Sequence, residues 1–295
     1  MACGGSSPRL HYGQGASRSA FLERLDAACE ASQSLVCVGL DPDPALMPGK
    51  DVFSFNKAIV DATHDLVCAY KPNLAFYEAL GLDGLRALEQ TIQHIRKMAP
   101  GVILLADAKR GDIGNTAAAY AKALFEVWEF DAATVNPYLG GDAVEPFLAH
   151  LDRGVFILCR TSNPGARDFQ DMMVASPGDT PRPLYQKVAL RAMEWNRRGN
   201  VGLVVGATYP QELEQVRLLC PETPFLIPGI GSQAGDLEQS VRLGVDARGR
   251  RAIINSSRGI IYASRGRDFA EAARNATIKL RDAINGTLAS EGHGW

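Results

Sequence analysis

The sequence lacks three features, each of which is typical of one class of protein. No apolar run approaches the roughly 20 residues of a membrane-spanning helix. The six cysteines show no C-x-x-C or similar metal-ligand spacing, and several lie in apolar runs where a free thiol packs as a small hydrophobe. Lysine and arginine are spread along a chain of net charge −2, so we expect no concentrated basic surface. The sequence therefore predicts neither a membrane nor a nucleic acid as partner, and no metal site.

The two ends of the chain differ in composition from the part between them. The first twenty residues have no apolar segment of the kind found in secretory signals. Their glycine and serine content predicts a flexible leader over residues 1–20, followed by one domain over 21–288 and a tail over 289–295. Cysteines without a disulfide-like pattern suit a reducing compartment. We therefore expect a cytoplasmic protein.

Short β-branched apolar runs alternate with longer amphipathic segments about eight times along the chain. The strand candidates are residues 35–41, 67–72, 102–108, 132–136, 155–160, 201–206, 225–228 and 252–255. The helix candidates include residues 82–98, 184–198, 210–219 and 268–288. Near-continuous apolar strands are typical of parallel sheets covered on both faces. The alternation predicts a single-domain (β/α)8 barrel. A doubly wound open sheet is the alternative, although no Gly-x-Gly-x-x-Gly follows the first strand.

Charged residues stand where the first three predicted strands end. Asp41 ends the first, Lys71 ends the second, and Asp107 and Lys109 end the third, with Asp112 just beyond. Any one of them could be an ordinary solvated strand end. In a barrel, however, these ends meet at one mouth, which predicts a shared charged site.

The pair Asp107 and Lys109 suggests the chemistry of that site. Residues two apart on a strand point the same way, and nearby carboxylates would keep the lysine charged. A fixed ammonium beside a fixed carboxylate suits decarboxylation, in which CO2 leaves and the remaining carbanion needs a proton. A Schiff-base lysine, as in an aldolase, is an alternative on these grounds, but it requires a neutral amine.

Two loops after the last two predicted strands are candidates for binding phosphate. Residues 228–233 (PGIGSQ) follow the seventh strand and residues 256–259 (SSRG) follow the eighth. Barrels often bind phosphate between these loops, where glycines allow close backbone approach and Arg258 can supply a charged fork. The alternative is that the glycines only serve tight turns.

The connection over residues 162–183 is rich in Pro, Gly and Asp, and it is longer than most loops between a strand and a helix. It is either a tolerated surface insertion or a loop that covers substrate.

Residues 107–116, DAKRGDIGNT, resemble the signature of the orotidine 5′-monophosphate (OMP) decarboxylases in their longer bacterial subgroup. The PGIGSQ segment and the Arg258 loop support the resemblance, which extends over roughly 21–288. It implies a (β/α)8 homodimer with shared active sites. Such an enzyme converts OMP to UMP and CO2 without a cofactor or metal.

The resemblance also implies roles for the charged residues. Asp107 would lie against the substrate carboxylate, and Lys109 would donate the proton to C6. Asp41 and Lys71 would complete the charged network and hold ribose hydroxyls. The residues expected to reach into the neighbouring subunit's site are Asp112, Ile113 and Thr116.

The remaining implied contacts concern the base and the phosphate. Ser162 would hydrogen-bond the pyrimidine, while Gln233 and Arg258 would hold the phosphate. Pro228 and Gly229 would begin a closing loop. A departure from the family pattern is Ser257, which stands where many relatives have glycine.

Two further functions remain as alternatives. Metal-dependent sugar-phosphate decarboxylases on the same scaffold also have Asp-x-Lys-x-x-Asp, but they place a metal-binding glutamate where this chain has Lys71, whose charge would repel Mg2+. A non-catalytic nucleotide-binding barrel would be expected to have lost Lys109 or one of its aspartates, and this chain keeps them all.

Overall fold

The computed structural model describes residues 19–175, 178, 180–229 and 234–295, and in them eight parallel strands close into a barrel. The strands of the chain, in order, are β1 (Val36–Leu40), β2 (Ala69–Pro72), β3 (Ile103–Arg110), β4 (Ala132–Val135), β5 (Gly154–Arg160), β6 (Met173–Val174), β7 (Arg182–Pro183), β8 (Val201–Val205), β9 (Phe225–Ile227) and β10 (Ala252–Ser256). The barrel order is β1-β10-β9-β8-β5-β4-β3-β2, while β6 and β7 form a separate antiparallel pair.

The predicted barrel is confirmed, and the open doubly wound sheet is wrong. The deciding contact is the parallel pairing of β1 with β10, in which Val36 lies opposite Ile254 and closes the sheet. All eight predicted barrel strands are present within a few residues of their expected bounds. Strands such as β1 and β8 are buried along their whole length, as their uninterrupted apolar sequences require.

Helices cover the outside of the barrel. They are α1 (Ala20–Ser32), α2 (Val52–Thr63), α3 (Leu74–Glu78), α4 (Gly81–Met98), α5 (Gly114–Lys122), α6 (Gly141–Leu148), α7 (Leu184–Trp195), α8 (Pro210–Leu219), α9 (Ala234–Gly244), α10 (Arg258–Ile261) and α11 (Phe269–Ser290). The helix expected over 184–198 ends early, at Trp195, because Asn196 leaves the helical conformation and its side chain accepts a hydrogen bond from the Val201 N–H.

The ends of the described chain are packed against the barrel. Ser19 caps α1 by accepting from the Leu22 N–H, and its hydroxyl donates to the Gly199 carbonyl at 2.8 Å. At the other end, the indole N–H of Trp295 donates to Asn285 at 3.1 Å. The predicted leader lies outside the described residues except for its last two positions.

A buried carboxylate forms several ion pairs at the end of the barrel where the strands begin. Asp131, just before β4, pairs with Arg24 at 2.6 Å, with Arg96 at 2.8 Å and with Arg153 at 3.5 Å. It also accepts from the Leu104 N–H at 2.8 Å. A buried charge is tolerated when it is paired and hydrogen-bonded in this way. Across the described ranges, no helix is long and apolar enough to cross a membrane.

Candidate active site

Lys71 and Lys109 hold Asp107 between them at the carboxyl ends of β2 and β3. The Lys71 ammonium donates to Asp107 Oδ2 at 2.8 Å, and the Lys109 ammonium donates to Oδ1 at 2.5 Å. Lys71 is only 3% exposed, whereas about half of the Lys109 side chain is open to solvent. Lys109 is therefore the more accessible of the two ammonium groups.

The charges of this cluster stabilise each other. Burial by itself raises the pKa of Asp107, but the ammonium groups of Lys71 and Lys109 outweigh it and lower the pKa to about 2. Burial likewise acts to lower the pKa of Lys71, and the carboxylates of Asp107 and Asp41 outweigh it and raise that pKa above its usual value. The cluster thus keeps a carboxylate and a buried ammonium ionised side by side.

The backbone at Lys109 departs from a regular strand. The register between β3 and β4 shifts between Ala106 and Arg110, and Lys109 has a left-handed φ of +47°. Thr134 on β4 stabilises this conformation, since its hydroxyl oxygen accepts from the Lys109 N–H at 2.9 Å and its O–H donates to Asp107 at 3.1 Å. The alternation of side chains along a strand predicted that Asp107 and Lys109 point the same way. The two side chains do meet, although the backbone between them is not that of a regular strand.

The buried polar atoms that have no hydrogen-bond partner among the described residues include three oxygens near the carboxyl ends of β1, β5 and β10. They belong to Asp41 (Oδ1), Ser162 (Oγ) and Asn255 (Oδ1). Buried polar groups are nearly always satisfied, so such atoms mark places where a ligand or water is expected to bind. Asn255 and Thr134 were missed by the sequence analysis because each lies inside an apolar strand.

Two glycines allow serines to lie deep in the mouth. A Cβ at Gly206 would lie 2.1 Å from the Ser162 hydroxyl oxygen, and a Cβ at Gly39 would lie 1.8 Å from the Ser257 hydroxyl oxygen. Neither serine could keep its position beside a larger residue. The structure therefore brings Ser162 and Ser257 to the same mouth as the charged cluster.

The two candidate phosphate loops follow β9 and β10, as expected. Pro228 and Gly229 lie at the end of β9, and the Pro228 carbonyl accepts from the Ala207 N–H at 3.0 Å. Arg258 begins α10 and is exposed. Gln233 lies outside the described residues, so its expected place in the phosphate site stays a prediction.

The segment with Asp112, Ile113 and Thr116 connects the end of β3 to the first turn of α5. Asp112 accepts from the Ile113 N–H at 2.8 Å, Ile113 is 60% exposed, and Thr116 is exposed on the first turn of α5. Within the described part of this chain, none of the three makes a hydrogen bond or ion pair with Asp107 or Lys109. These side chains are consequently available to another molecule.

Comparison with known proteins agrees with this geometry. The model of the orotidine 5′-phosphate decarboxylase / HUMPS family matches residues 34–275. The chain belongs to this family. An orotidine 5′-phosphate decarboxylase of Roseiflexus castenholzii is 54% identical over 275 residues, covering 91% of this chain and 98% of its own length. One from Ralstonia pickettii is 51% identical over 272 residues, or 90% and 98% of the two chains.

The family assignment extends to solved structures. The structure of Leishmania donovani OMP decarboxylase superposes with a TM-score of 0.79 at 41% identity, covering 90% of this chain and 98% of that one. The family resemblance drawn from residues 107–116 is thus confirmed.

Proposed function

We propose that this protein is an orotidine 5′-phosphate decarboxylase, which converts OMP to UMP and CO2 in pyrimidine biosynthesis. The observation that carries the proposal is the Lys71–Asp107–Lys109 cluster at the barrel mouth, with one ionised carboxylate between two ammonium groups. The named relatives, at more than half identity over nearly their whole length, support the same reaction.

The cluster suits each step of a cofactor-free decarboxylation. Asp107 lies against the substrate carboxylate, and its negative charge favours departure of that group as neutral CO2. The C6–carboxylate bond breaks with both electrons left on C6, and Lys109 transfers an ammonium proton to that carbon. The resulting neutral amine recovers a proton from solvent. A preorganised ammonium next to the developing charge is the largest source of stabilisation available without a cofactor.

The rest of the mouth holds the parts of the nucleotide that do not react. Asp41 and Lys71 bind ribose hydroxyls, and Ser162 hydrogen-bonds the pyrimidine. Arg258, together with the Ser257 loop, binds the phosphate, and Gln233 is assigned to the same group. Pro228 and Gly229 begin the loop that closes over it. Binding energy from the distant phosphate can then support closure around the reacting carbon.

The charge of Lys71 also distinguishes this function from metal-dependent chemistry within the same family. Its ammonium lies 2.8 Å from a carboxylate oxygen of Asp107, and the residue is nearly fully buried. Mg2+ binds hard oxygen ligands, and a fixed ammonium at this point competes for the carboxylate and repels the cation. We therefore propose catalysis without a metal or other cofactor.

We further propose that the enzyme is a homodimer in which Asp112, Ile113 and Thr116 complete the partner's site. Exposed apolar residues on neighbouring elements support an interface here; they are Phe76 on α3, Ile113 before α5, Tyr120 on α5 and Tyr138 after β4. Arg110 links these elements, since it pairs with Glu78 on α3 and lies 5.3 Å from the Tyr120 ring. Exposed apolar side chains grouped on neighbouring elements are typical of protein interfaces.

The cysteines support a reducing location. The five cysteines in the described ranges are free and buried, and burial raises the pKa of Cys37 to about 12. We propose that the enzyme acts in the cytoplasm on a small-molecule substrate.

The test of the function is the loss of OMP absorbance with purified protein in buffer containing EDTA. Rapid loss with UMP as product supports both the reaction and its independence of divalent metal. If folded protein binds UMP without turnover, the non-catalytic barrel is the better description. If it neither turns over OMP nor binds UMP, sugar phosphates with Mg2+ are the next substrates to test.

A further inference from the structure

The long connection after β5 is folded onto the barrel. It begins with a 3-10 turn (Pro164–Asp168) and contains the β6–β7 pair before α7 starts at Leu184. Gln170 lies where these parts meet. Its N–H donates to the Ala166 carbonyl at 2.8 Å, and its carbonyl accepts from the Tyr185 N–H at 3.1 Å. The backbone of Gln170 is thus fixed on both sides.

The side chain of Gln170 points back to the residue before Ser162. Its Oε1 accepts from the Thr161 N–H at 2.9 Å, and its Nε2 donates to the Thr161 hydroxyl at 2.8 Å. The Thr161 hydroxyl in turn donates to Asn163 at 2.6 Å. The side-chain amide of Gln170 therefore fixes both the backbone and the hydroxyl of Thr161, the residue next to Ser162.

Arg160, the last residue of β5, also contacts the side-chain amide of Gln170. It is fully buried, and its guanidinium donates to Gln170 Oε1 at 3.3 Å. The same guanidinium lies 3.2 Å from Asp171 in the insertion and 3.7 Å from Glu212 on α8, with its carbon 4.4 Å from the centre of the Tyr209 ring. Removing an arginine from water is costly, and these charged and aromatic neighbours offset part of that cost.

The arrangement joins the insertion to the base-binding side of the mouth. The Arg160 carbonyl accepts from the Gly206 N–H at 2.8 Å, and Gly206 is the residue whose missing side chain leaves room for Ser162. The side-chain amide of Gln170 makes three hydrogen bonds, two accepted by Oε1 and one donated by Nε2, and a connected network of this kind fixes the orientation of a side chain.

We propose that Gln170 is a positioning residue that acts through Thr161 to orient Ser162 toward the pyrimidine, with Arg160 holding Gln170 in place. The insertion is then part of base recognition, although none of its residues after Ser162 needs to touch the substrate. This inference rests on the proposed function, because it uses the assignment of Ser162 to the base.

The test compares a ligand that carries the base with one that does not. UMP and ribose 5-phosphate share the sugar and the phosphate, so an effect that acts through Ser162 changes only the affinity for UMP. We expect Gln170→Leu to raise the Kd for UMP by about 10-fold and to leave the Kd for ribose 5-phosphate within about twofold. Gln170→Glu keeps the acceptor for the Thr161 N–H and is expected to retain most of the UMP affinity.

The matched control is Gln186→Leu. Gln186 on α7 makes its hydrogen bonds to Arg182, Tyr185 and Gln215, and none to Thr161 or Ser162, so the same chemical change there is expected to alter neither Kd. The decisive measurement repeats Gln170→Leu in a Ser162→Ala background. The loss of UMP affinity is expected to vanish there, since residues that act through one another are not additive. Gln170→Ala carries the same expectations if the leucine variant does not fold.

The possible outcomes separate the two proposals. Equal weakening of both ligands, an unchanged UMP Kd, or an undiminished effect without Ser162 would each overturn the positioning role. If the unaltered protein binds ribose 5-phosphate but gains nothing from the base, the assignment of Ser162 fails first. If it binds neither ligand, the proposed function itself fails.

Discussion

The Thr134 hydroxyl and the Lys109 backbone N–H form a hydrogen bond of 2.9 Å, which holds the lysine in its left-handed conformation. A non-glycine residue in this region costs of order 1–3 kcal/mol unless its surroundings stabilise it. Thr134 supplies that support and at the same time donates to Asp107. Both members of the proposed catalytic pair, Asp107 and Lys109, thus depend on one hydroxyl group.

Replacing Thr134 tests this dependence. We expect Thr134→Val, which keeps the shape and removes the hydroxyl, to lower kcat by roughly 10-fold to 100-fold with little change in KM, because the ammonium is no longer held in its reactive position. Thr134→Ser restores the hydroxyl and is expected to recover most of kcat. Steady-state kinetics give both values, and an equal loss in the two variants would contradict the role of the hydrogen bond.

Lys109 itself is expected to be required for turnover and not for binding. Lys109→Ala removes the proton donor, so OMP decarboxylation falls to background while UMP still binds measurably. Lys97→Ala, an exposed lysine at the end of α4, is the control and keeps full activity. A Lys109→Ala enzyme that retains more than about a tenth of its activity would remove this residue from the role of proton donor.

The proposed sharing of active sites between subunits predicts that two inactive variants complement each other. Lys109→Ala and Asp112→Ala are each expected to be inactive, and mixing them allows hybrid dimers in which one site has both residues intact. Partial activity is then recovered after subunit exchange. No recovery, with exchange demonstrated by differently tagged subunits, would contradict the proposal that Asp112 serves the neighbouring site.

The low pKa of Asp107 predicts a dependence of stability on pH. Its folded-state pKa of about 2 lies below the unfolded value near 4, so its ionised form stabilises the fold above pH 4, and this contribution is lost as the pH falls toward 2. We expect Asp107→Asn to lower the free energy of unfolding by about 2 kcal/mol at pH 6, and by less at pH 3.5.

Urea denaturation at several pH values measures this difference. Asp83→Asn, at an exposed position on α4, is expected to change stability little at any of them. A difference between Asp107→Asn and the unaltered protein that stays constant from pH 6 to pH 3.5 would mean that the ion pairs of Asp107 do not stabilise the fold as described.

Arg258 is expected to act on the phosphate alone. Arg258→Ala should lower kcat/KM for OMP by about 100-fold and leave the slow reaction of orotidine, which lacks the phosphate, unchanged. Arg191→Ala, an exposed arginine on α7, is the control. Equal losses with both substrates would show that Arg258 acts on something other than the phosphate.

The fold and the charged site followed from the sequence because both are governed by local patterns. The barrel strands are apolar over most of their length, and Asp107 and Lys109 stand toward the end of one of them. Parallel strands bring their carboxyl ends together whatever the details of packing. The positions of Asp41, Lys71 and the last two loops could therefore be predicted from strand order alone.

The residues that hold the site in place were not predicted. Thr134 lies 25 residues from Lys109 along the chain, and it looks like one β-branched residue among others in a buried strand. The link from Gln170 to Thr161 depends on how an irregular insertion folds back. Nothing in the local pattern distinguishes Lys109 as the position where the strand becomes irregular. Such contacts depend on side-chain geometry between distant segments.

Asp131 and its three arginines stabilise the barrel at the end away from the charged cluster. None of these four residues belongs to the proposed site at the other end of the strands. Substitutions in the loops after the strand carboxyl ends can alter what the barrel binds without breaking the ion pairs of Asp131 at the opposite end. A chain organised in this way can acquire new specificities by evolution while it continues to fold.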